Sequence, residues 1–364
     1  MSKNNTSENV SILNQRTYQP KRPPLRGGLI GFGNVAAQAH LPMWRECPDF
    51  DIVAVMEPCA ERVRLAAAAL PHAPVYSTIE AMLAEADLDF VDICTPPCFH
   101  AGLAVAACRA GVHVFCEKPL VTGIDQTHAL HRAVQDSGCV VYTVNNWQYS
   151  PQWMRVRDLI EENAIGSVKS VALQVLRPPG SGGGLSDWRR TPDLAGGGIL
   201  LDHGWHHIYL LMMIMGCSPL AVSARMEPLS EEHPGIEGTV QLTASFPNAE
   251  ATLFLTWQAA GRSNFGTIAG DRGTLHVNDD HIVLSHGNGK EVHYDFSEPL
   301  SRGSHHLEWM RPVVDGFRRE LNEPEQRGKN LSEAMVCAQI THLAYQSHSE
   351  GARFLAVPAL PTGH

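Results

Sequence analysis

Leu25-Arg26-Gly27-Gly28-Leu29-Ile30-Gly31-Phe32-Gly33-Asn34-Val35-Ala36 reads as a short apolar strand, a tight glycine turn and the opening of a helix over Ala36–Arg45. In such a turn the first glycine permits a sharp bend, and the second lets backbone N–H groups approach a pyrophosphate. A small third residue, here Ala36, lets the helix pack close to the strand. The pyrophosphate then lies at the positive end of that helix. A second strand, Asp51–Met56, runs into Glu57. A carboxylate there accepts hydrogen bonds from an adenosine ribose and repels a 2′-phosphate, so NAD is expected over NADP. Arg62 and Arg64 follow and read as a solvated helix face.

Working outward, apolar runs alternate with helical stretches as far as Asn145. Strands are expected at Phe90–Cys94, His113–Cys116 and Val140–Thr143, with a weaker one at Val75-Tyr76. Helices are expected at Ala60–Ala69, Ile79–Glu85, Ala101–Ala110 and Gln126–Ser137. Short buried strands alternating with helices predict an α/β unit, a doubly wound parallel sheet covered on both faces.

After Pro151 the texture changes. A helix over Gln152–Asn163 and a strand over Ser170–Leu176 lead to a glycine-rich loop, Pro178–Gly184, that suits a mobile cover. A helix over Trp205–Met215 precedes period-2 runs between Val222 and Phe296, which predict an antiparallel or mixed sheet. Helices at Leu307–Glu320 and Leu331–His348 close the chain. The expected division is a polar tail (1–24), a dinucleotide-binding domain (25–146) and an α+β domain for substrate binding and oligomerisation (147–364).

Composition excludes several classes. Among 364 residues, 44% are hydrophobic and 18% charged, as in ordinary globular proteins. A net charge of −10 argues against nucleic-acid binding, which rests on clustered Lys and Arg. Nine cysteines, odd in number and without a CxxC pair, read as reduced thiols in a cytoplasmic protein. Residues 1–24 lack the apolar core of a signal peptide, and Ile208–Met215 is too short to span a bilayer, so no membrane role is expected.

Two further segments carry chemistry. Glu117-Lys118-Pro119 follows the strand His113–Cys116, and Gly196-Gly197-Gly198-Ile199-Leu200-Leu201-Asp202-His203-Gly204-Trp205-His206 lies far downstream. Asp202 and His206 stand four apart and face one way if a helix begins there. A lysine, a histidine and a carboxylate beside a dinucleotide suffice to move a proton and a hydride together, which points to a dehydrogenase. His206 is the expected base, with Asp202 orienting it and Lys118 bonding the same oxygen. These residues leave open which of Lys118 and His206 takes the proton. In Asp187-Trp188-Arg189-Arg190, Arg189 suits a phosphate or carboxylate clamp and Trp188 a stacking surface; a plain surface loop is the alternative. His203 and His207 have ligand chemistry, but no further ligands are marked, so no metal is expected.

Gly31-Phe32-Gly33, Thr95-Pro96-Pro97 with His100, Glu117-Lys118-Pro119 and the Gly196–His206 segment together resemble the Gfo/Idh/MocA oxidoreductases, named for glucose–fructose oxidoreductase and inositol dehydrogenase. The resemblance runs from Leu25 to near the end. It implies a Rossmann domain followed by an α+β domain on an open, mostly antiparallel sheet. It makes Lys118, Asp202 and His206 the catalytic set and Pro119 a candidate cis proline. The cofactor contacts it implies are Gly31, Phe32, Gly33, Asn34, Val35, Glu57, Thr95, Pro96, Pro97, His100, Glu117, Lys118 and Asn146. The substrate side would be Lys118, Tyr149, Trp188, Arg189, Asp202 and His206. One departure is Asn145-Asn146-Trp147-Gln148-Tyr149, where many relatives carry Asn and then Arg-Phe. The implied activity is NAD-dependent oxidation of a ring secondary hydroxyl on a sugar or nucleotide sugar, with a lean to C3 of a nucleotide sugar. Alternatives are a glycosidase working by transient oxidation and elimination, a cyclitol dehydrogenase, and a non-enzymatic ligand-sensing regulator. A homodimer or homotetramer is expected.

Overall fold

The structure, a computed structural model, describes residues 23–179, 188–303 and 306–359. Most of the expected tail and the loop Gly180–Gly184 lie outside the described residues. Strands β1 (Leu25–Ile30), β2 (Phe50–Met56), β3 (Val75–Tyr76), β4 (Phe90–Ile93), β5 (His113–Cys116) and β6 (Val141–Thr143) form a parallel sheet in the order β3-β2-β1-β4-β5-β6. The crossovers carry α1 (Leu41–Arg45), α2 (Ala60–Ala69), α3 (Ile79–Glu85), α4 (His100–Arg109) and α5 (Ile124–Ser137). Strands β4 and β5 are buried along their whole length, as parallel strands covered on both faces must be. The strand order reverses between β1 and β4, so the ligand crevice of such a sheet opens at their carboxyl ends.

Beyond this sheet come α6 (Pro151–Glu161), β7 (Val168–Leu176), α7 (Pro192–Ala195) and α8 (Trp205–Met215). Helix α6 starts because Ser150 caps it: its Oγ accepts from the Trp153 N–H at 3.2 Å, and Pro151 occupies the first turn. Next are β8 (Ala221–Pro228), β9 (Glu237–Phe246), β10 (Ala249–Thr256), β11 (Ser263–Gly270), β12 (Gly273–Asn278), β13 (His281–His286) and β14 (Glu291–Asp295). Helices α9 (Leu307–Asn322) and α10 (Lys329–Ser349) and the short β15 (Leu355–Ala356) end the described chain. The second sheet runs β14-β13-β12-β11-β7-β10-β9-β8-β15, antiparallel except where β7 meets β10. Alternate residues such as Leu242, Leu253, Leu173 and Leu275 face one core with α8 and α10, which is the period-2 signal read from the sequence. Element boundaries fall within two residues of those expected.

Two features were not legible in the expected division at residue 146. Helix α9 packs on the first sheet, placing Met310, Val313 and Phe317 among Phe50, Phe90, Phe115 and Tyr142. The rings there pack closely, tilted at 4.9 Å between Trp44 and Phe90 and stacked at 6.0 Å between Phe50 and Phe317. Asn330 of α10 acts as a further pairing partner for the edge strand β6. Its Oδ1 accepts from the Thr143 N–H at 2.6 Å, and its Nδ2 donates to the Thr143 carbonyl at 3.0 Å. Asn330→Ala strands both buried backbone groups and should destabilise the protein by about 1–3 kcal/mol in urea unfolding. An unchanged midpoint would show that this bridge does not hold the two parts together.

Candidate active site

The first sheet delivers the expected residues to one edge. Gly31 follows β1, Glu57 follows β2, Thr95–Pro97 follow β4, Glu117 and Lys118 follow β5, and Asn146 lies beyond β6. Gly31 has φ +85°, and a Cβ there would meet Thr95 and the Cys94 carbonyl at 3.0–3.2 Å, so only glycine fits. Gly33 faces open space with nothing within 4 Å, the room a pyrophosphate takes above the turn. The Thr95 hydroxyl is buried and has no partner among the described residues, so it can bond a ligand lying on this edge. Glu57 accepts from the N–H groups of Phe32 (2.7 Å) and Cys59 (2.9 Å), bracing the glycine turn with the carboxylate expected to meet the ribose. These features fit a dinucleotide.

Behind the edge lies a buried charge chain that the sequence reading missed. The helix expected over Ala36–Arg45 begins with a π turn, Ala36–His40, which carries His40. The His40 Nδ1 donates to both Asp92 oxygens (2.9 and 3.0 Å), and its Nε2 donates to Glu117 Oε1 at 2.9 Å. Trp44 Nε1 also donates to Asp92, at 2.7 Å. Two carboxylate partners require both ring nitrogens to carry protons. Burial opposes that charge, but Asp92, assisted by Cys94, raises the His40 pKa well above the ordinary imidazole value. Burial likewise works against ionised Glu117, yet the His40 bond and charge, with Lys118, hold its pKa below normal. The other Glu117 oxygen accepts from the Lys118 backbone N–H at 3.0 Å, so the chain ends at the lysine.

Lys118 precedes a cis Pro119. Its Nζ donates to the Asp202 carbonyl at 2.7 Å and to Asp202 Oδ1 at 3.1 Å. Arg189 Nε donates to Asp202 Oδ2 at 3.3 Å, and its guanidinium lies 4.4 Å over the Trp188 ring. Burial alone would raise the Asp202 pKa; Lys118, then Arg189 and His203, drive it well below the usual carboxylate range. A small cleft here is lined by Pro97, Pro119, Trp188, Arg189, Asp202 and Trp257.

The glycine run places Asp202 by close packing. A Cβ on Gly197 would fall 2.1 Å from the Tyr345 hydroxyl, and one on Gly198 2.0 Å from the Glu237 carbonyl. The buried Glu237 side chain accepts from the N–H groups of Gly198 (2.7 Å) and Leu200 (3.0 Å) and from Tyr345 Oη (2.9 Å). No local signal marks Glu237, because its partners come from distant segments. Arg177 was also missed. It is buried at the end of β7, donates to the Leu176 and Ser263 carbonyls, and leaves Nε without a partner among the described residues. Burial brings its pKa down to about 10.

Several expected placements differ. Asp202 does not orient His206: Leu200–Gly204 form a π turn, and the carboxylate bonds Lys118 and Arg189 instead. His206 Nδ1 lies 2.8 Å from the Tyr209 hydroxyl, with its ring stacked on Trp147 at 5.3 Å. His100 is 1% exposed and spends both nitrogens, at 2.8 Å, on the carbonyls of Thr95 and Pro119. It clamps two loops and has no free atom for a cofactor. Tyr149 makes no hydrogen bond to Lys118 or Asp202 among the described residues, and burial raises its pKa. Asn146 touches the Met310 sulfur at 3.9 Å. His207 Nδ1 donates to the His203 carbonyl at 2.9 Å, and burial pushes its pKa down to about 4.

Residues 25–145 match a family model described as an oxidoreductase family with an NAD-binding Rossmann fold, and residues 153–276 match the GFO/IDH/MocA C-terminal domain. The dTDP-3,4-didehydro-2,6-dideoxy-alpha-D-glucose 3-reductase of Streptomyces violaceoruber is 32% identical over 53% of this chain and 55% of its own length. The D-glucoside 3-dehydrogenase of Escherichia coli is 28% identical over 53% of this chain and 54% of its own. The chain thus spans about half the length of these two curated relatives. A solved levoglucosan dehydrogenase, in complex with NADH and levoglucosan, shares the fold with a TM-score of 0.79 and 23% identity, over 92% of this chain and 100% of that one. The chain belongs to the GFO/IDH/MocA oxidoreductases and binds NAD.

A raised His40 pKa has a defined pH signature. Its stabilisation is fully present below the ordinary imidazole pKa of about 6.5 and is lost as pH rises through its higher folded-state value. His40→Gln, which leaves Asp92 buried without its cation, should cost about 3–5 kcal/mol near pH 6. It should also flatten the alkaline decline in stability. Equal alkaline slopes in both proteins would show that His40 is not held charged.

Proposed function

We propose that this member of the GFO/IDH/MocA oxidoreductases oxidises a ring secondary hydroxyl of a sugar or nucleotide sugar, with C3 of a nucleotide sugar as the preferred position. The observation that carries this reading is Lys118 Nζ bonded twice to Asp202 at the carboxyl edge of the first sheet. Two of its three hydrogen-bonding positions are spent on Asp202, and the third is left for a substrate oxygen. Bound NAD supplies a hydride acceptor. The residues of the chain must then place the hydroxyl and move its proton while the carbon gives up hydride and becomes a ketone. Asp202, kept ionised by Lys118 and Arg189, holds the amine at one position throughout.

The C3 preference rests on two observations. Arg189 and Trp188 line the cleft beside Asp202, which suits an anionic ligand carrying a ring. The two curated relatives above are named for chemistry at position 3 of a sugar.

Lys118→Ala, with the fold intact by circular dichroism, should lose more than about a hundredfold in kcat. The assay is NADH absorbance with nucleotide sugars, free sugars and inositol offered separately. Near-normal turnover by Lys118→Ala would remove the lysine from the chemistry. Turnover of inositol but of no nucleotide sugar would overturn the C3 nucleotide-sugar preference.

A further inference from the structure

His206 has one ring nitrogen committed and one free. Nδ1 lies 2.8 Å from the Tyr209 hydroxyl, and Nε2 has no hydrogen-bond partner among the described residues. Tyr209 is fully buried, and its oxygen already accepts the Trp147 backbone N–H at 3.0 Å. Its own O–H must therefore find an acceptor, because a buried hydroxyl proton left unpaired is costly. The acceptor within reach among the described residues is His206 Nδ1. If Nδ1 carried the proton instead, two N–H groups would converge on the phenol oxygen and its O–H would be stranded.

We infer that Tyr209 is a positioning residue that fixes His206 in the Nε2–H tautomer, so that His206 donates a hydrogen bond to the reacting oxygen and Lys118 takes its proton. The tautomer is assigned by hydrogen-bond accounting, and the assignment of the reacting oxygen rests on the function proposed above. A neutral ring whose Nδ1 already accepts has no lone pair left at Nε2, so His206 cannot serve as the base without first exchanging tautomers. Stacking of Trp147 on the ring holds its plane and prevents the flip that would exchange the nitrogens. Burial, then the charge of Lys118, pushes the His206 pKa well below normal, which opposes a second proton on the ring. In oxidation Lys118 first releases one proton to solvent; its neutral amine then takes the proton of the substrate hydroxyl as the carbon gives up hydride, and the Nε2–H bond steadies the charge that develops on oxygen. In reduction Lys118 returns the proton while the same Nε2–H polarises the carbonyl.

The direct test is 15N NMR of histidine-labelled protein with NAD added, using His206→Ala to assign the signals. An unprotonated, hydrogen-bonded Nδ1 and a protonated Nε2 across neutral pH are expected. Tyr209→Phe should spread the proton over both nitrogens and lower kcat by about tenfold or more, with the KM for NAD unchanged. A protonated Nδ1 in the unaltered protein overturns the inference, and this measurement needs no variant at Tyr209 that folds. If His206→Ala is inactive in that case, the proposed function stands and the inference alone fails. Normal turnover by His206→Ala removes His206 from the reacting oxygen and overturns the inference by a separate route.

Discussion

The crevice depends on a buried imidazolium held between two carboxylates. His40 comes from the π turn after the glycine loop, Asp92 from β4, and Glu117 from the end of β5. A charge buried this deeply is tolerated only while its partners are in place, so the three segments cannot shift independently. The loop that receives the dinucleotide and the turn that presents Lys118 are thereby fixed to each other. Glu117 completes the transfer, because one oxygen accepts from His40 and the other from the Lys118 backbone. The lysine is positioned through its main chain before its side chain meets Asp202.

The second half of the site is fixed by packing and by another buried carboxylate. Glu237 gathers the N–H groups at the start of the Asp202 segment, and the glycines let that segment press against β9 and α10. Asn145 joins the halves: its Nδ2 donates to Glu333 of α10 at 2.6 Å, and its Oδ1 accepts from Trp205 of α8 at 3.2 Å. Both parts of the site are thus held by buried and part-buried polar contacts, which are strong when satisfied and costly when broken.

Much of this was legible in the sequence, for identifiable reasons. Buried parallel strands read as apolar runs, and the period-2 pattern of β8–β14 reads as a half-covered sheet. Gly31, Glu57, Thr95 and Lys118 stand directly at strand ends, so finding the strands located them. The contacts made across the fold were not legible. A single histidine such as His40 looks like any helix residue until Asp92 and Glu117 are brought to it from 52 and 77 positions away. The four-residue spacing of Asp202 and His206 assumed an α-helix, and the π turn breaks that assumption. His100 lies in a cofactor loop yet serves the loop's carbonyls, a distinction that only distances reveal. Periodicity announced α9 as a helix but could not say that its apolar face belongs to the first sheet.

The most direct test of the account is native mass spectrometry of the freshly purified full chain, with bound small molecules released and identified before and after adding NAD(H). NAD(H) is expected at one per chain, weakened in the His40→Gln protein whose glycine loop and Lys118 turn are no longer tied together. Absence of any dinucleotide from the unaltered protein, even with NAD(H) added, would contradict it.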